Sequence, residues 1–322
     1  MAGLKLCEPH HLYNLLNQHR RVPRLAEPGY LCLLDVRTQR EYDESHIVTA
    51  CRIIKSPTGE YLVPNSEELQ CVRYCVVYDC ETSSFNCCNC DEEEKEKGRH
   101  ERPALADSFL VSVDAEEGTA IRHARSLAQL RRQPVLILKG GYRRFAACYH
   151  FLRTQKILWM PQELDNFQPY PVEILPAKLY MGNFKQACDQ QIQKDLKIKA
   201  QVNISEQPAT LFAEGGKCLQ ISVPDSLEAD LFSSFPTICH FIDAQLDHGA
   251  VLVFSSLGIS RCSTVTMAYL MHSCQFSLKR AWDYILKCKT NMRPHRGFVK
   301  QLSDWETQIY TTTITDISEP NY

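Results

Sequence analysis

The sequence lacks long apolar runs and lacks an excess of charge of one sign. No uninterrupted apolar stretch approaches the roughly 18 residues that a membrane-spanning helix needs. The 322 residues include 36 Lys and Arg against 38 Asp and Glu, which gives a net charge of −2. Neither half is basic enough to bind nucleic acid through its phosphates. The sequence therefore predicts no membrane span and no direct contact with nucleic acid.

Residues 1–30 also lack the continuous apolar segment that forms the core of a secretion signal. The 16 cysteines are therefore expected to be reduced thiols of a cytoplasmic protein, many of them packed in the core. A mitochondrial location is the alternative, because residues 1–26 carry four basic residues and one acidic residue. We favour the interpretation in which these residues form the first helix of a domain.

Four cysteines lie close together in a stretch without hydrophobic periodicity: Cys80, Cys87, Cys88 and Cys90. Their spacing fits no common zinc pattern, and His100 is the first histidine after them. We predict that residues 80–106 form a long mobile loop that happens to carry thiols. The sequence predicts no metal and no cofactor.

The length predicts two domains, and both have the pattern of α/β proteins. Apolar runs of strand length alternate with amphipathic helical patterns, which is typical of a parallel sheet covered on both faces. The expected units are a first domain over 1–157, a linker over 158–170, a second domain over 171–312 and a flexible tail over 313–322.

The expected elements follow from these patterns. In the first domain we predict strands over 31–36, 71–79 and 135–139, and helices over 119–132 and 142–152. In the second domain we predict strands over 174–181, 201–205, 218–223 and 250–254, a turn at 182–183, and helices over 263–273, 277–289 and 297–310. Ser277 is a good N-cap for the helix that follows it.

The most informative segment is the loop between the predicted strand 250–254 and the next helix. Backbone N–H groups at a helix start have no intrahelical partner, and with the helix dipole they favour an anion. Arg261 would add a bidentate fork for a phosphate, and Gly258 would let the backbone approach it closely. The predicted phosphate-binding residues are Ser255, Ser256, Leu257, Gly258, Ile259, Ser260 and Arg261.

This loop resembles the His-Cys-x5-Arg signature of the cysteine-dependent dual-specificity phosphatases. Phe254 stands at the histidine position, Ser255 at the cysteine position, and Arg261 matches the arginine. Asp225, in a Val-Pro-Asp segment, precedes Ser255 by 30 residues, where this family has its acid loop. The resemblance extends over residues 171–310 and includes the opening strand and the helices after the loop.

The departures from that signature change the function that the resemblance implies. A helix start can lower a thiol pKa from about 8.5 to roughly 3.5–7.5, whereas a serine hydroxyl starts far too high to be ionised in this way. Phe254, Ser255 and Asp225 would therefore form a degenerate site. His295 stands where the family often has an asparagine that braces the loop.

We accordingly expect a pseudophosphatase that binds phosphorylated Ser, Thr or Tyr residues of proteins without cleaving them. One alternative is a weakly active hydrolase that uses Ser255. Another is a scaffold that does not use the pocket, with Arg261 paired internally to a carboxylate.

The first domain resembles the rhodanese-like, Cdc25-homology pattern D-x-R…E-[FY]…H-I. The matching segments are Asp-Val-Arg at 35–37, Glu-Tyr at 41–42 and His-Ile at 46–47. A sulfurtransferase would carry its cysteine directly after the second strand, where Asp79 stands and Cys80 follows one residue later. We therefore expect no catalysis by Cys80.

A rhodanese-like domain followed by a dual-specificity phosphatase domain is the layout of the MAP-kinase phosphatases. Their first domain docks kinases through an arginine cluster, but residues 50–55 supply only Arg52 and Lys55 here. Phosphorylated proteins are thus the expected partners, with MAP kinases and active phosphatases as further candidates. Arg143 and Arg144 are interpreted as an exposed helix face.

Overall fold

The chain folds into two α/β units, seen in a computed structural model that describes residues 3–20, 22–85, 118–158, 161–164, 167–208, 215–318 and 322. The strands are β1 Leu4–Cys7, β2 Leu31–Asp35, β3 His46–Ile47, β4 Cys51–Arg52, β5 Ile54–Lys55, β6 Tyr61–Val63, β7 Tyr74–Tyr78, β8 Val135–Leu138, β9 Arg153–Thr154, β10 Val172–Leu175, β11 Leu179–Asn183, β12 Ile198–Asn203, β13 Lys217–Gln220 and β14 Ala250–Ser255. The α-helices are α1 Pro9–Leu16, α2 Gln39–Glu44, α3 Ser66–Cys71, α4 Thr119–Gln129, α5 Gly141–Cys148, α6 Phe184–Cys188, α7 Gln190–Asp195, α8 Phe235–Leu246, α9 Arg261–Ser273, α10 Leu278–Cys288 and α11 Arg296–Tyr310.

The first sheet has the strand order β1-β8-β7-β2-β4, and every neighbouring pair in it is parallel. Adjacent residues of a strand face opposite sides, so Leu34 and Val77 pack against α4 while Leu33 and Val76 join a second core. The predicted parallel sheet, apolar on both faces, is confirmed. Of the predicted loop 80–106, residues 86–106 lie outside the described residues.

The second sheet has the order β10-β11-β14-β12-β13, in which only the β10–β11 pair is antiparallel. The central strand β14 is buried along its whole length. Its carboxyl end leads directly into the loop before α9, so the sheet fixes where that loop begins. Ser277 caps α10 as predicted, because its side chain accepts a hydrogen bond from the backbone N–H of Arg280.

The prediction of one strand over 174–181 is wrong, since two antiparallel strands occupy this stretch. The chain turns between them, where Ala177 has a φ of 57° and the Lys178 N–H donates to the Leu175 carbonyl. The predicted turn at 182–183 is also wrong, because both residues belong to β11. Asn183 instead caps α6, with its side chain accepting from the Gln186 N–H.

A shared apolar core joins the two units. One cluster contains Leu33 and Leu136 from the first sheet together with Leu252 and Phe254 from the second. Helix α1 adds polar contacts, since the Tyr13 hydroxyl donates to the Pro171 carbonyl at 2.7 Å. The two units are therefore held by packing as well as by hydrogen bonds.

Two amide side chains of the α1 region pair with backbone of the second unit. The Asn14 amide donates to the Glu173 carbonyl at 2.8 Å and accepts from the Glu173 N–H at 2.7 Å. Gln18 donates to the Cys288 carbonyl and accepts from the Thr290 N–H and hydroxyl. These pairs fix the register of the first helix against the second unit.

The carboxylate of Glu173 is a buried centre of this junction. It accepts hydrogen bonds from the Tyr149 hydroxyl at 2.5 Å, the Tyr180 hydroxyl at 2.9 Å and the Ala177 N–H at 2.7 Å. Tyr149 belongs to the first unit, while Tyr180 lies on β11. A buried carboxylate is stable only when it is satisfied in this way.

Three buried tyrosines at the junction should make the free energy of unfolding fall at alkaline pH. Burial raises the pKa of Tyr13, Tyr149 and Tyr180 above the ordinary value near 10. Above about pH 10 the unfolded chain would lose these protons while the folded chain keeps them, so the full stability exists only below that pH. We expect the free energy of unfolding to fall by about 1.4 kcal/mol per pH unit and per tyrosine above pH 10.

Urea unfolding at pH 8 and at pH 11 measures this effect. Tyr149→Phe should reduce the pH dependence because it removes one of the three groups. An unchanged unfolding free energy between the two pH values would contradict the assignment.

Part of the predicted tail 313–322 is anchored to the second unit. The buried Glu306 carboxylate accepts from the backbone N–H groups of Ile314 and Thr315, and also from that of Leu278. The ring of Tyr322 lies 5.1 Å from the ring of Trp282. The last turn of α11 thus holds the segment that follows it.

Candidate functional site

The site is built on the loop that joins β14 to α9. Gly258 has a φ of 70°, and a Cβ at this position would lie 2.7 Å from the Gly182 carbonyl oxygen. The loop therefore presses against β11 as closely as only a glycine allows. The Phe184 N–H donates to the Ser256 carbonyl, and the Arg293 N–H donates to the Ile259 carbonyl. Neighbouring segments thus brace the loop on two sides.

Arg261, the first residue of α9, lies buried beneath this loop. Its Nη1 donates to the Val223 carbonyl at 2.7 Å and its Nη2 to the Ser256 hydroxyl at 3.1 Å. Its Nε lies 3.8 Å from Asp225 Oδ2 and has no hydrogen-bond partner. The guanidinium therefore joins the loop to the Val-Pro-Asp segment mainly through neutral acceptors.

Asp225 stands beside the loop, where the resemblance to the phosphatase family implied it would lie. Its Oδ1 accepts from the Ser260 hydroxyl at 2.8 Å and lies 3.6 Å from His295 Nε2. His295 also caps α11, since its Nδ1 accepts from the Phe298 N–H, which leaves the ring proton on Nε2 facing Asp225. Its contact with Asp225 was not foreseen from the sequence.

Phe254 occupies the position of the signature histidine and is entirely buried. Its ring lies 6.0 Å from the ring of Phe184, and both belong to the core that joins the two units. The residue therefore packs as a hydrophobic side chain and offers no hydrogen bond to the loop.

Ser255, at the nucleophile position, is buried at the end of β14. Its side chain lies next to the Cys262 thiol, which is fully buried in α9. Burial raises the pKa of this thiol, so Cys262 stays protonated at neutral pH. No carboxylate or imidazole of the described residues hydrogen-bonds the Ser255 hydroxyl. Ser255 therefore has no paired base that would activate it as a nucleophile.

Leu257 is the outermost residue of the loop. Its side chain is 75% exposed and so projects into solvent. The structure thus brings Asp225 together with the loop 255–261. Phe254 lies beneath them. Sequence reasoning missed the Val223 carbonyl and the Cys262 thiol, because neither backbone acceptors nor buried thiols leave a signal in a motif.

The motif residues of the first unit serve its structure. Arg37 forms a buried pair with Asp35 at 2.6 Å, donates to the Ser45 carbonyl and lies over the Tyr142 ring at 3.8 Å. Glu41 completes a capping box at the start of α2. These contacts explain why the pattern D-x-R…E-Y requires these residue types at these positions.

In the loop after β7, the side chain of Asp79 accepts hydrogen bonds from the surrounding backbone. Asp79 accepts from the backbone N–H groups of Glu81, Thr82 and Ala120, the last of these in the first turn of α4. Such N–H groups form the kind of cradle that binds anions, and here an internal side chain occupies it. The Asp79 carboxylate thus satisfies the helix start without any external ligand.

Cys80 lies next to this carboxylate and donates its thiol to Glu41 Oε1 at 3.1 Å. Burial and the Glu41 carboxylate raise the pKa of the Cys80 thiol to about 11. A thiol of this pKa is protonated at neutral pH and is a poor nucleophile.

The part of the chain that the structure describes has neither a cluster of metal ligands nor a membrane-spanning helix. No three His, Cys, Asp or Glu side chains among those residues lie close enough to hold a metal ion. Cys87, Cys88 and Cys90, which the sequence analysis considered as ligands, lie outside it. Within the same ranges, no helix has both the length and the apolar character to cross a bilayer.

Comparison with known families agrees with both units. Residues 179–308 match the family model of the dual specificity phosphatase, catalytic domain, and residues 11–148 match that of the rhodanese-like domain. The chain contains a rhodanese-like domain followed by a dual-specificity phosphatase domain. The fold class and domain order expected from the sequence are confirmed.

Several curated proteins are similar to this chain. The dual specificity protein phosphatase Mpk3 of Drosophila melanogaster is 37% identical over 147 residues, which are 45% of this chain and 36% of the relative. Human dual specificity protein phosphatase 5 is 40% identical over 144 residues, 44% of this chain and 37% of the relative. A probable rhodanese domain-containing dual specificity protein phosphatase of Dictyostelium discoideum is 24% identical over 316 residues, 86% of this chain and 65% of the relative. The chain thus spans less than two thirds of each of these relatives.

Two solved structures are similar to part of this chain. A mouse dual specificity phosphatase complexed with zinc tungstate has 29% identity and a TM-score of 0.44, over 45% of this chain and 92% of that one. The human tyrosine phosphatase-like serine/threonine/tyrosine-interacting protein has 26% identity and a TM-score of 0.40, over 44% of this chain and 97% of that one.

Proposed function

We propose that this chain is a catalytically inactive pseudophosphatase of the serine/threonine/tyrosine-interacting type within the layout of the MAP-kinase phosphatases. It binds phosphorylated Ser, Thr or Tyr residues of a partner protein and thereby regulates phosphatase or kinase signalling. The observation that carries the proposal is Ser255, a serine at the nucleophile position in a loop whose arginine and aspartate are in place.

The neighbours of Ser255 support inactivity. A hydroxyl needs a paired base to become a nucleophile, whereas the Ser255 side chain lies next to the protonated thiol of Cys262. Cys262 cannot take over the role, because its side chain is fully buried. In an unrelated serine protease, loss of the nucleophile costs about 10⁶ in turnover, and we expect a defect on that scale.

The state of Arg261 supports retained binding. The hydrogen-bond acceptors of its guanidinium are a carbonyl and a hydroxyl, so no bidentate carboxylate neutralises its charge. The backbone N–H groups of the loop do not depend on the missing sulfur. The site therefore keeps the positive groups that a phosphate needs while lacking the group that would cleave its ester.

The Asp225 carboxylate supports a second candidate, a scaffold that works through other surfaces. It already accepts from Ser260 and lies 3.8 Å from Arg261 Nε, so it competes with a phosphate for the loop. We favour phosphate binding because the Asp225 side chain is 40% exposed and can leave at little cost.

Partners and location are proposed on the same basis. Phosphorylated proteins match the chemistry of the loop, and MAP kinases or active phosphatases match the layout of the chain. Arg52 and Lys55 remain the proposed kinase-docking residues, and the Lys55 ammonium lies 4.5 Å from the centre of the Tyr61 ring. We propose a cytoplasmic location, with mitochondria as the alternative, and no cofactor.

Turnover of an aryl phosphate by the full chain tests the proposal of inactivity. We expect no release of phosphate above that of buffer, and the same result with Ser255→Ala. The hydrolase alternative predicts turnover that Ser255→Ala abolishes, and this outcome would overturn the proposal.

A further inference from the structure

A pocket of about 210 Å³ lies where the two domains meet, beside the signature loop. His19 and Arg20 line it from the first domain, and Lys185, Ser256 and Lys289 line it from the second. Neither Arg261 nor Asp225 contributes to its wall. Ser256, Leu257 and Ile259 also line it, so the pocket shares part of the signature loop with the phosphate cradle proposed above but not its arginine.

The charge of this pocket is entirely positive. Its lining includes three cations, Arg20, Lys185 and Lys289, and no aspartate or glutamate. None of the three has an ion pair or a side-chain hydrogen bond to another described residue. Three like charges around one cavity repel each other unless an anion lies between them.

Lys289 is the most buried cation of this pocket, and it has no counter-charge among the described residues. Its pKa is lowered by burial. The pKa of His19 is lowered as well, first by burial and then by Lys289 and Lys185. Buried charges are ordinarily paired with a counter-charge, which the described part of the protein does not supply at this place.

We propose that this junction pocket binds a small phosphate-type oxyanion, and that the bound anion ties the rhodanese-like domain to the phosphatase domain. Arginine and lysine are the side chains that most often bind phosphate. The Ser256 hydroxyl accepts from Arg261 Nη2, so its own proton is available to the anion. The cavity is several times larger than the roughly 30 Å³ of one water, so it admits a phosphate or a phosphate monoester.

The two domains contribute in different ways, which makes the linkage testable. Arg20 follows α1 in the first domain, whereas Lys185 lies on α6 and Lys289 directly after α10. An anion that contacts all three would stabilise the folded chain by favouring the docked arrangement of the domains.

Titration of the full-length Arg261→Met variant with inorganic phosphate, followed by calorimetry at constant ionic strength, tests this proposal. That background weakens binding at the signature cradle, and the binding that then depends on Lys289 is assigned to the junction pocket. We expect saturable binding that Lys289→Met weakens at least tenfold, and a melting temperature that rises with phosphate but not with chloride. Lys287→Met, at an exposed lysine two residues away that does not line the pocket, is the matched control and should bind normally.

Two further measurements test the kind of anion and the contribution of the first domain. Phenyl phosphate that binds as tightly as inorganic phosphate would identify the ligand as a phosphate monoester, whereas weaker binding would identify the free ion. Arg20→Met should weaken binding as well, and if it has no effect the anion does not link the domains. Absence of saturable binding, or binding that Lys289→Met leaves unchanged, would overturn the proposal.

Discussion

A chain with Ser255→Cys is expected to hydrolyse aryl phosphates. The change places a thiol at the end of β14, in the loop that leads into the start of α9, and near a helix start a thiol pKa falls below about 8.5. We expect turnover at least about 10³-fold above that of the natural chain, within the roughly 10⁶ that a nucleophile contributes in a serine protease. Steady-state release of phosphate measures it.

Two variants make this result specific. Ser256→Cys puts a thiol one residue further along the same loop and should remain inactive. Ser255→Cys combined with Arg261→Met should lose the gain, because the thiolate and the phosphate both need the positive charge. A folded Ser255→Cys chain without turnover would mean that the loop no longer has the geometry of a phosphatase.

The single change is a cleaner test than restoring both signature residues. Phe254 is fully buried in the core between the domains, and truncating a buried Phe typically costs about 3–5 kcal/mol. Phe254→His with Ser255→Cys would therefore combine a gain in chemistry with a loss of packing. Activity of the double variant would still support an intact loop.

Glu173→Ala is expected to destabilise the protein by about 3–5 kcal/mol, because each buried donor left without an acceptor costs about 1–3 kcal/mol. The change leaves the hydroxyls of Tyr149 and Tyr180 and the N–H of Ala177 without their acceptor inside the protein. Because Tyr149 belongs to the other domain, contact between the domains should weaken as well. Urea unfolding measures the loss.

Glu173→Gln keeps the shape of the side chain and should cost less than the alanine variant. It also serves as the measurable variant if Glu173→Ala does not fold. Glu228→Ala, at an exposed glutamate, is the control and should change stability by less than about 0.5 kcal/mol. A loss below 1 kcal/mol in Glu173→Ala would show that the junction does not depend on this carboxylate.

Features that are local in sequence could be predicted well. The signature loop is contiguous, so its position between a strand and a helix and the place of Arg261 followed from its resemblance to the phosphatase signature and from the flanking segments. Asp225 was also predicted, because the distance along the chain between the acid loop and the signature loop is characteristic. Burial patterns of period two and of continuous apolar runs located the central strands.

Features that depend on distant contacts could not be predicted. Gln18 and Thr290 are 272 residues apart, and nothing near either residue indicates the other. The turn at Ala177 was missed although Pro176, a residue that rarely lies inside a strand, stands next to it. Helix α8 was also missed, although its buried residues Phe235, Ile238, Cys239 and Ile242 have the spacing of one helix face.

The central claim is that the loop binds a phosphorylated side chain that the chain cannot cleave. Calorimetric titration of the full chain with phosphotyrosyl and phosphothreonyl peptides, beside Arg261→Met, tests it most directly. We expect binding that requires the phosphate and that Arg261→Met weakens by about 10- to 100-fold, as loss of a charged hydrogen-bonding group implies. Arg293→Met, at an exposed arginine beside the loop, should bind normally. A folded chain that binds no phosphopeptide, or binds it equally well without Arg261, would contradict the account.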